Sequence, residues 1–556
     1  MIIPVPSPSV RLALLFLLGA ALLSYVVDLG GSSIWDANEA YYVETPREMI
    51  QSGNYVTPQF NYEPRTNKPV LSYWVVAGLY RVFGVSVGVE RMAIAAAALV
   101  IIAAAWFLAR AASPHALAPL LAAAGLAASP RFFMFARRIL VDVLLAAFMT
   151  LILLCFALAE RYPHRRRAFL LGMYVCVGLG VLTKGPVAAA LPALIFAIYL
   201  ICYGELRRVR EMMIPTGLAI VLVIVAPWYL ALYRESGWTH IATFFLGENL
   251  DRYTTAIGQQ GRGPLYYLPV LLTDALPWSL LLPVAVAVWI RERRERWRSP
   301  DFRIRTLLLL WTAVIVGFFS LSSTKQDLYI FPVAAAVAVL GGDVVARGAM
   351  NGLAWMSVRV TMGAIGALLV AVGAIVLYLF QWAGTTYNIR GTMIAGVVAA
   401  VGGAAAVILV RRRTAHAAVA VLATLVVLNW TLISGVLPSV EAYKPVVPLS
   451  QAITERVRDG DVIIHYNVAM PSMVFYTGRR IDVAWSGEEL VEMIRSGKPL
   501  FAVLPDDRYS ELAGEIGGSA CVIDRRPTFS AKLGDVLARR APPAIVLLST
   551  RCPPAR

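Results

Sequence analysis

A chain of 556 residues that is 59% hydrophobic, 15% charged and of mean hydropathy +0.68 carries too little charge for a soluble protein of its size. That composition leaves a polytopic membrane protein. The formal net charge of +16 needs no nucleic acid, because the basic residues gather in short stretches at 161–167, 207–210, 291–298 and 411–413, as the positive-inside rule marks cytoplasmic loops.

In chain order, the apolar runs predict about thirteen transmembrane helices, near 11–27, 89–110, 114–131, 139–160, 167–182, 185–203, 213–234, 265–290, 305–323, 327–346, 355–380, 391–411 and 415–437. The first run lacks a small-residue cleavage site and reads as a retained span. A shorter run at 70–84 decides the topology. If it crossed, the basic loops would face outward, so it reads as interfacial or re-entrant, with the N-terminus cytoplasmic and the C-terminus outside. Residues 1–437 then form a membrane domain with a first outer loop at 28–88. The outer side also receives 130–138, the turn 183–186, the loop 235–264 and 322–327.

The first outer loop opens with Asp36, Glu39, Glu44 and Glu48. If this window is helical, Asp36 and Glu39 share a face. A solvated amphipathic helix on the bilayer is the competing reading. Arg65 and Lys68 follow, just before the re-entrant run. Asp142 begins an otherwise apolar span, with Arg137 or Arg138 as the expected partner, either in a site or in a structural ion pair. Lys184 sits between two apolar helices, where it binds a phosphate or snorkels. Lys325 and Tyr329 stand one turn apart at a helix start. Cations and a phenol at an interface suit a lipid phosphate, although each alone is equally an interfacial anchor. Asp274, also in an apolar run, reads as a helix-packing residue.

Beyond Pro438 the pattern changes. Short apolar runs at 461–465, 500–504, 521–524 and 544–548 read as strands and alternate with helical stretches at 488–495 and 509–514. Residues 438–556 are thus expected to form an α/β domain. Of the five cysteines, Cys155, Cys176 and Cys202 fall in apolar runs, whereas Cys521 and Cys552 can pair if the tail faces an oxidising compartment. The histidines give no metal-ligand spacing. No metal or cofactor is indicated, and a divalent ion held by carboxylates stays open.

Taken in order, the segment 42–49 with Lys68-Pro69 and Tyr73-Trp74, then Val141-Asp142, Leu182-Thr-Lys-Gly185, Pro227-Trp228, Glu248 with Arg252, Pro264 with Tyr266-Tyr267, Pro277-Trp278, and Lys325 with Tyr329 resemble the GT-C glycosyltransferases that use polyprenyl-phosphate sugars. That is the protein O-mannosyltransferase superfamily, and the likeness is strongest to the bacterial lipid A aminoarabinose transferases. The resemblance implies a multi-pass protein of the bacterial inner membrane, its site and C-terminal domain facing the periplasm. It implies an undecaprenyl-phosphate sugar donor, possible sugars including 4-amino-4-deoxy-L-arabinose, a lipid A or lipopolysaccharide acceptor, and inverting single displacement. On this reading Asp36, Glu39 and Asp142 are the catalytic acids, and Arg65, Lys68, Lys325 and Tyr329 hold the donor phosphate. Asn38, Tyr42, Arg138, Lys184, Glu248 and Arg252 are secondary candidates. Two departures stand out. Asn38 occupies the place of the relatives' first-loop Asp, followed by the matching Glu39, so the role of base passes to Asp36 or Glu39 or is less needed. Asn67 and Asn249 align with a Glu and a His that hold zinc in the aminoarabinose transferases. A protein O-glycosyltransferase and a non-catalytic lipid-binding or transport protein are the alternative readings.

Overall fold

The computed structural model describes residues 8–138, 140–254, 262–349, 355–382, 387–411, 414–529 and 540–552, without the side chains of 248–250 and 252. Among these residues nine helices are long and apolar enough to cross a membrane, and a tenth crossing is formed if the pair Pro264–Asp274 and Trp278–Arg296, bent by 113°, counts as one. The expected runs at 11–27, 114–131 and 185–203 fold as shorter helices, Pro8–Ser24, Ala118–Ala128 and Val187–Cys202. Ala118–Ala128 is buried along its whole length, so it packs as a core helix within the bundle. The run near 70–84 forms Leu71–Phe83, which at 1.5 Å per residue is ~20 Å long and shorter than the hydrocarbon core.

Small residues bring the central helices together. The indole of Trp278 lies against Gly125 and Gly341, where a Cβ would stand 1.6 and 2.4 Å from its atoms, and its Nε1 donates to the Leu121 carbonyl at 2.9 Å. The Ala- and Gly-rich composition of Ala118–Ala128 and Ala334–Ala349 is what permits this approach.

The first loop, 28–88, is held by a buried ion pair. Arg91, in the first turns of the Val87–Ala112 helix, closes on Glu39 through Nε at 2.6 Å and a second nitrogen at 3.1 Å. The two side chains are 2% and 0% exposed. The remaining guanidinium protons go to the carbonyls of Leu29, Ser32 and Ser33, so one side chain fixes the path of the chain into the Asn38–Ser52 helix. Glu39 also accepts from the Trp35 N–H at 2.6 Å. The helix ends at Gly53, whose φ of 72° supplies the left-handed cap.

A small hairpin follows, β1 (Gln59–Phe60) and β2 (Glu63–Pro64), turned by Asn61 and Tyr62 at φ values of 59° and 62°. Two non-glycine residues in left-handed conformation are costly. They are stabilised because Glu48 accepts both of their N–H groups, at 2.8 and 3.0 Å.

The C-terminal domain is built on a five-stranded sheet of order β4-β3-β5-β7-β6. Its strands are β3 (Val462–Tyr466), β4 (Asp482–Ala484), β5 (Leu500–Pro505), β6 (Cys521–Pro527) and β7 (Ala544–Ser549). β3 runs parallel to β4 and β5, and β7 runs antiparallel to β5 and β6. Phe501 and Val503 face the Val446–Thr454 side while Leu500, Ala502 and Leu504 face Gly487–Arg495, so a strand covered on both faces reads as an unbroken apolar run. The edge strand β4, three residues long, left too little pattern to be expected from sequence. A disulfide joins Cys521, at the start of β6, to Cys552, just after β7.

This domain rests directly on the first loop. Asn61 exchanges two bonds of 2.8 Å with the backbone of Ile481. Ser472 N–H donates to Asp36 at 2.7 Å and Ile34 N–H to the Tyr476 hydroxyl at 2.8 Å. Glu441 and Lys444 both bond Ser33.

Two outcomes follow from this packing. Arg91→Met leaves the Glu39 carboxylate buried and unpaired, which costs about 3–5 kcal/mol; thermal unfolding in detergent is expected to show a large fall in Tm, substantially recovered in Glu39→Gln/Arg91→Met. Burial, and then the neighbouring Glu44 carboxylate, push the Glu48 carboxyl up to about 8. A carboxyl raised in the fold contributes stability that is full below its ordinary value of 4.5 and is lost as pH rises through 8. Amide exchange in the 59–64 hairpin is therefore expected to accelerate between pH 7 and 9 beyond the intrinsic rate, and Glu48→Gln to flatten that dependence.

Candidate active site

A cavity of about 800 Å³ lies between the first loop and the membrane helices. Asn38, Tyr41 and Tyr42 reach it from one face of the Asn38–Ser52 helix, and Arg65, Asn67 and Lys68 from the chain after the hairpin. Asp142, Lys184 and Tyr329 form the facing wall. Phe244, Phe245, Tyr253, Phe318 and Phe319 line an aromatic side. Among the described lining residues the charged groups are Arg65, Lys68 and Lys184 against Asp142, a wall with an excess of positive charge beside an apolar surface.

Helix ends explain the polar placement. Asp142 stands in the first turn of Leu140–Arg161 and Lys184 at the last residue of Arg166–Lys184. An acid at a helix start and a cation at a helix end are each favoured by the backbone dipole. The two helices pack side by side, and Lys184 Nζ donates to Asp142 Oδ1. Lys184 Nζ also lies 5.3 Å from the centre of the Tyr329 ring, which packs on Phe319 at 5.0 Å. The Arg65 guanidinium stacks 3.5 Å over the Tyr41 ring, Lys68 donates to the Asn67 carbonyl at 3.0 Å, and Tyr42 stacks on Tyr73 at 5.5 Å.

The structure therefore gathers Asn38, Tyr42, Arg65, Lys68, Asp142, Lys184 and Tyr329, and it separates the rest. Asp36 lies in the turn before the helix begins at Asn38, so it does not share a face with Glu39; its carboxylate is directed to Ser472. Glu39 is enclosed by Arg91. Neither lines the cavity. Lys325 precedes the 3-10 helix Asp327–Val333, across an extended Gln326, and donates to the carbonyl of Ser322 at 2.5 Å; Ser322 and Gln326 line the cavity and Lys325 does not. The expected partner of Asp142 is corrected as well. Arg137 binds the carbonyls of Ser24, Val27 and Asp28, closing the end of the first helix, and Arg138 stacks 4.0 Å over Trp35. Asp274 pairs with Arg131 at 2.5 Å. The side chains of Glu248 and Arg252 fall outside the described residues.

Tyr41 and the aromatic side were not anticipated. Tyr41 follows Asn38 by three residues and was legible as a helix-face neighbour once the helix start was placed. Phe244 and Phe245 meet the cavity only through tertiary packing. Among the described residues no group of three or more His, Cys, Asp or Glu side chains converges, and the wall offers the amides of Asn38 and Asn67 where zinc takes His or acidic ligands.

Comparison with known proteins supports the resemblance drawn from sequence. Residues 67–230 match the family described as dolichyl-phosphate-mannose-protein mannosyltransferase. The undecaprenyl phosphate-alpha-4-amino-4-deoxy-L-arabinose arabinosyl transferase of Erwinia tasmaniensis is 31% identical over 387 residues, covering 67% of this chain and 66% of that one. A protein of the same name from Pseudomonas fluorescens is 31% identical over 358 residues, 61% of this chain and 58% of the relative. The chain thus matches somewhat less than two thirds of the length of these curated relatives. The crystal structure of ArnT from Cupriavidus metallidurans bound to undecaprenyl phosphate superposes with a TM-score of 0.78 at 23% identity, over 96% of this chain and 97% of that one. The chain has the GT-C fold of that protein.

The Asp142–Lys184 pair gives a direct test of the wall. Lys184→Met strands a carboxylate beside apolar surface, whereas Asp142→Asn/Lys184→Met removes both charges. The single variant is expected to cost about 2 kcal/mol more than the double, read as the difference in unfolding free energy in detergent.

Proposed function

We propose that this protein is a glycosyltransferase of the bacterial inner membrane that moves a sugar from undecaprenyl phosphate to lipid A or lipopolysaccharide on the periplasmic face. The observation that carries the reading is the cavity in which Arg65, Lys68 and Lys184 stand beside an aromatic, apolar side. That combination suits a donor whose phosphate is anionic and whose tail is hydrocarbon. The shared fold with a protein solved with undecaprenyl phosphate and the names of the curated relatives support it. A disulfide in the C-terminal domain supports an oxidising compartment for that domain.

The chemistry follows from the charges. An acceptor oxygen attacks the anomeric carbon from the face opposite the phosphate, the bond from that carbon to the phosphate oxygen breaks, and undecaprenyl phosphate leaves with the electron pair. Charge grows on the leaving phosphate, and the cations of the wall are placed to stabilise it. The sugar centre becomes oxocarbenium-like, which the Asp142 carboxylate opposes with negative charge. A phosphate acceptor is already deprotonated near neutral pH and needs no base, which accommodates the amide at Asn38; a hydroxyl acceptor would pass its proton to Asp142. The sugar named for the relatives, 4-amino-4-deoxy-L-arabinose, is the first donor to test.

Mass spectrometry of lipid A and of envelope proteins from cells with and without the gene tests the reading. A sugar-sized mass lost from lipid A is the expected result, with the same loss in cells carrying Lys68→Met. Loss confined to proteins would replace lipid A with a protein acceptor, and an unchanged envelope would contradict transfer.

A further inference from the structure

Beside the cavity, and off its wall, lies a cluster of two arginine and two aspartate side chains. Arg131, in the helix Pro130–Phe135, bridges Asp274 at 2.5 Å and Asp327. Asp327 also receives the Tyr266 hydroxyl and stands 3.8 Å from Arg262. Arg262 donates to the Lys325 carbonyl at 3.2 Å. The buried Tyr267 completes the grip: its hydroxyl donates to the Gln326 carbonyl at 3.0 Å and accepts from the Gln326 N–H at 3.2 Å. Three consecutive residues, 325–327, are thus clamped by two separate elements.

These residues lead directly onto the cavity wall. Gln326, Leu328 and Tyr329 line it, whereas Arg131, Tyr266 and Asp327 do not. The helix beginning at Asp327 is a tight 3-10 turn, so a displacement of Asp327 is carried to Tyr329 two residues on. One guanidinium reaches both acids, hydrogen-bonded to Asp327 and in ion-pair contact with Asp274, because its charge is spread over three nitrogens in a plane; a lysine ammonium at the same place reaches one acid well and the other poorly.

We propose that Arg131 and Asp327, locked with Tyr266 and Arg262, are positioning residues that hold Tyr329 against Lys184 in the geometry that receives the donor phosphate. The clamp touches no substrate and acts through Tyr329. The proposal rests on the cavity being the undecaprenyl-phosphate site.

The experiment is a double-mutant cycle on the purified full chain, read as affinity for undecaprenyl phosphate and therefore independent of the acceptor. Tyr329→Phe and Asp327→Asn are each expected to weaken binding about tenfold, while Asp327→Asn added to Tyr329→Phe costs no more than about twofold further. Arg131→Lys is expected to retain more affinity than Arg131→Gln, and the melting temperatures of Tyr329→Phe and Asp327→Asn to stay close to that of the parent chain, which separates positioning from general destabilisation. Full additivity of the two substitutions, or Tyr329→Phe or Asp327→Asn binding as the parent chain does, would overturn the positioning role. If the parent chain itself does not bind undecaprenyl phosphate, the reading of the cavity falls, and the positioning role with it.

Discussion

The carboxylate of Glu39 and the guanidinium of Arg91 are almost wholly removed from water, and neither can lose its partner cheaply. Because Arg91 spends its other donors on the carbonyls of Leu29, Ser32 and Ser33, the pair fixes a connection that otherwise has no regular structure. The Asn38–Ser52 helix starts from that fixed point, and its Asn38, Tyr41 and Tyr42 face is one wall of the cavity. The opposite face of the loop carries the hairpin held by Glu48 and the bonds to Ile481, Ser472 and Tyr476 of the C-terminal domain. The first loop is therefore a layer clamped between the membrane helices and the sheet domain.

Against that layer the membrane helices supply charge at their ends. Asp142 and Lys184 are tolerated in apolar helices because one sits at a helix start, the other at a helix end, and each neutralises the other. Arg65 and Lys68 add positive charge from the loop, one stacked on an aromatic ring and the other bonded to the backbone. The cavity thus offers cations on one side and Phe244, Phe245, Phe318 and Phe319 on the other, the division that the proposed lipid-phosphate donor needs. On the proposed function, the same division would let a water-insoluble donor and a polar acceptor meet at one point of the membrane surface.

Much of this was legible in the sequence. Composition gave a membrane protein, strand and helix alternation beyond Pro438 gave the α/β domain, and order and spacing of weak motifs gave the GT-C resemblance. Asp142 and Lys184 were each visible as charges in apolar runs, but the pairing was not, because it depends on two helices packing side by side rather than on sequence neighbours. The nearer arginines, Arg137 and Arg138, were taken up by carbonyls and by Trp35. The spacing of Asp36 and Glu39 gave them a shared face if the window was helical, and the resemblance gave them the catalytic role. The helix begins two residues after Asp36, which breaks the shared face and leaves Asn38 on the cavity wall instead. Lys325 was misplaced for a similar reason, since it stands before its helix and not within it. Spacing within an element was reliable once the element's start was known, and the starts here are set by tertiary contacts.

The central claim is that the donor phosphate and its lipid tail occupy the cavity between the first loop and the Asp142–Lys184 wall. Photocrosslinking with an undecaprenyl-phosphate analogue carrying a photoreactive group near its phosphate, followed by peptide mass spectrometry, addresses it most directly. Adducts on the segments around Tyr41, Lys184 and Tyr329, suppressed by unlabelled undecaprenyl phosphate, are predicted. Competable adducts confined to other parts of the chain would contradict the account.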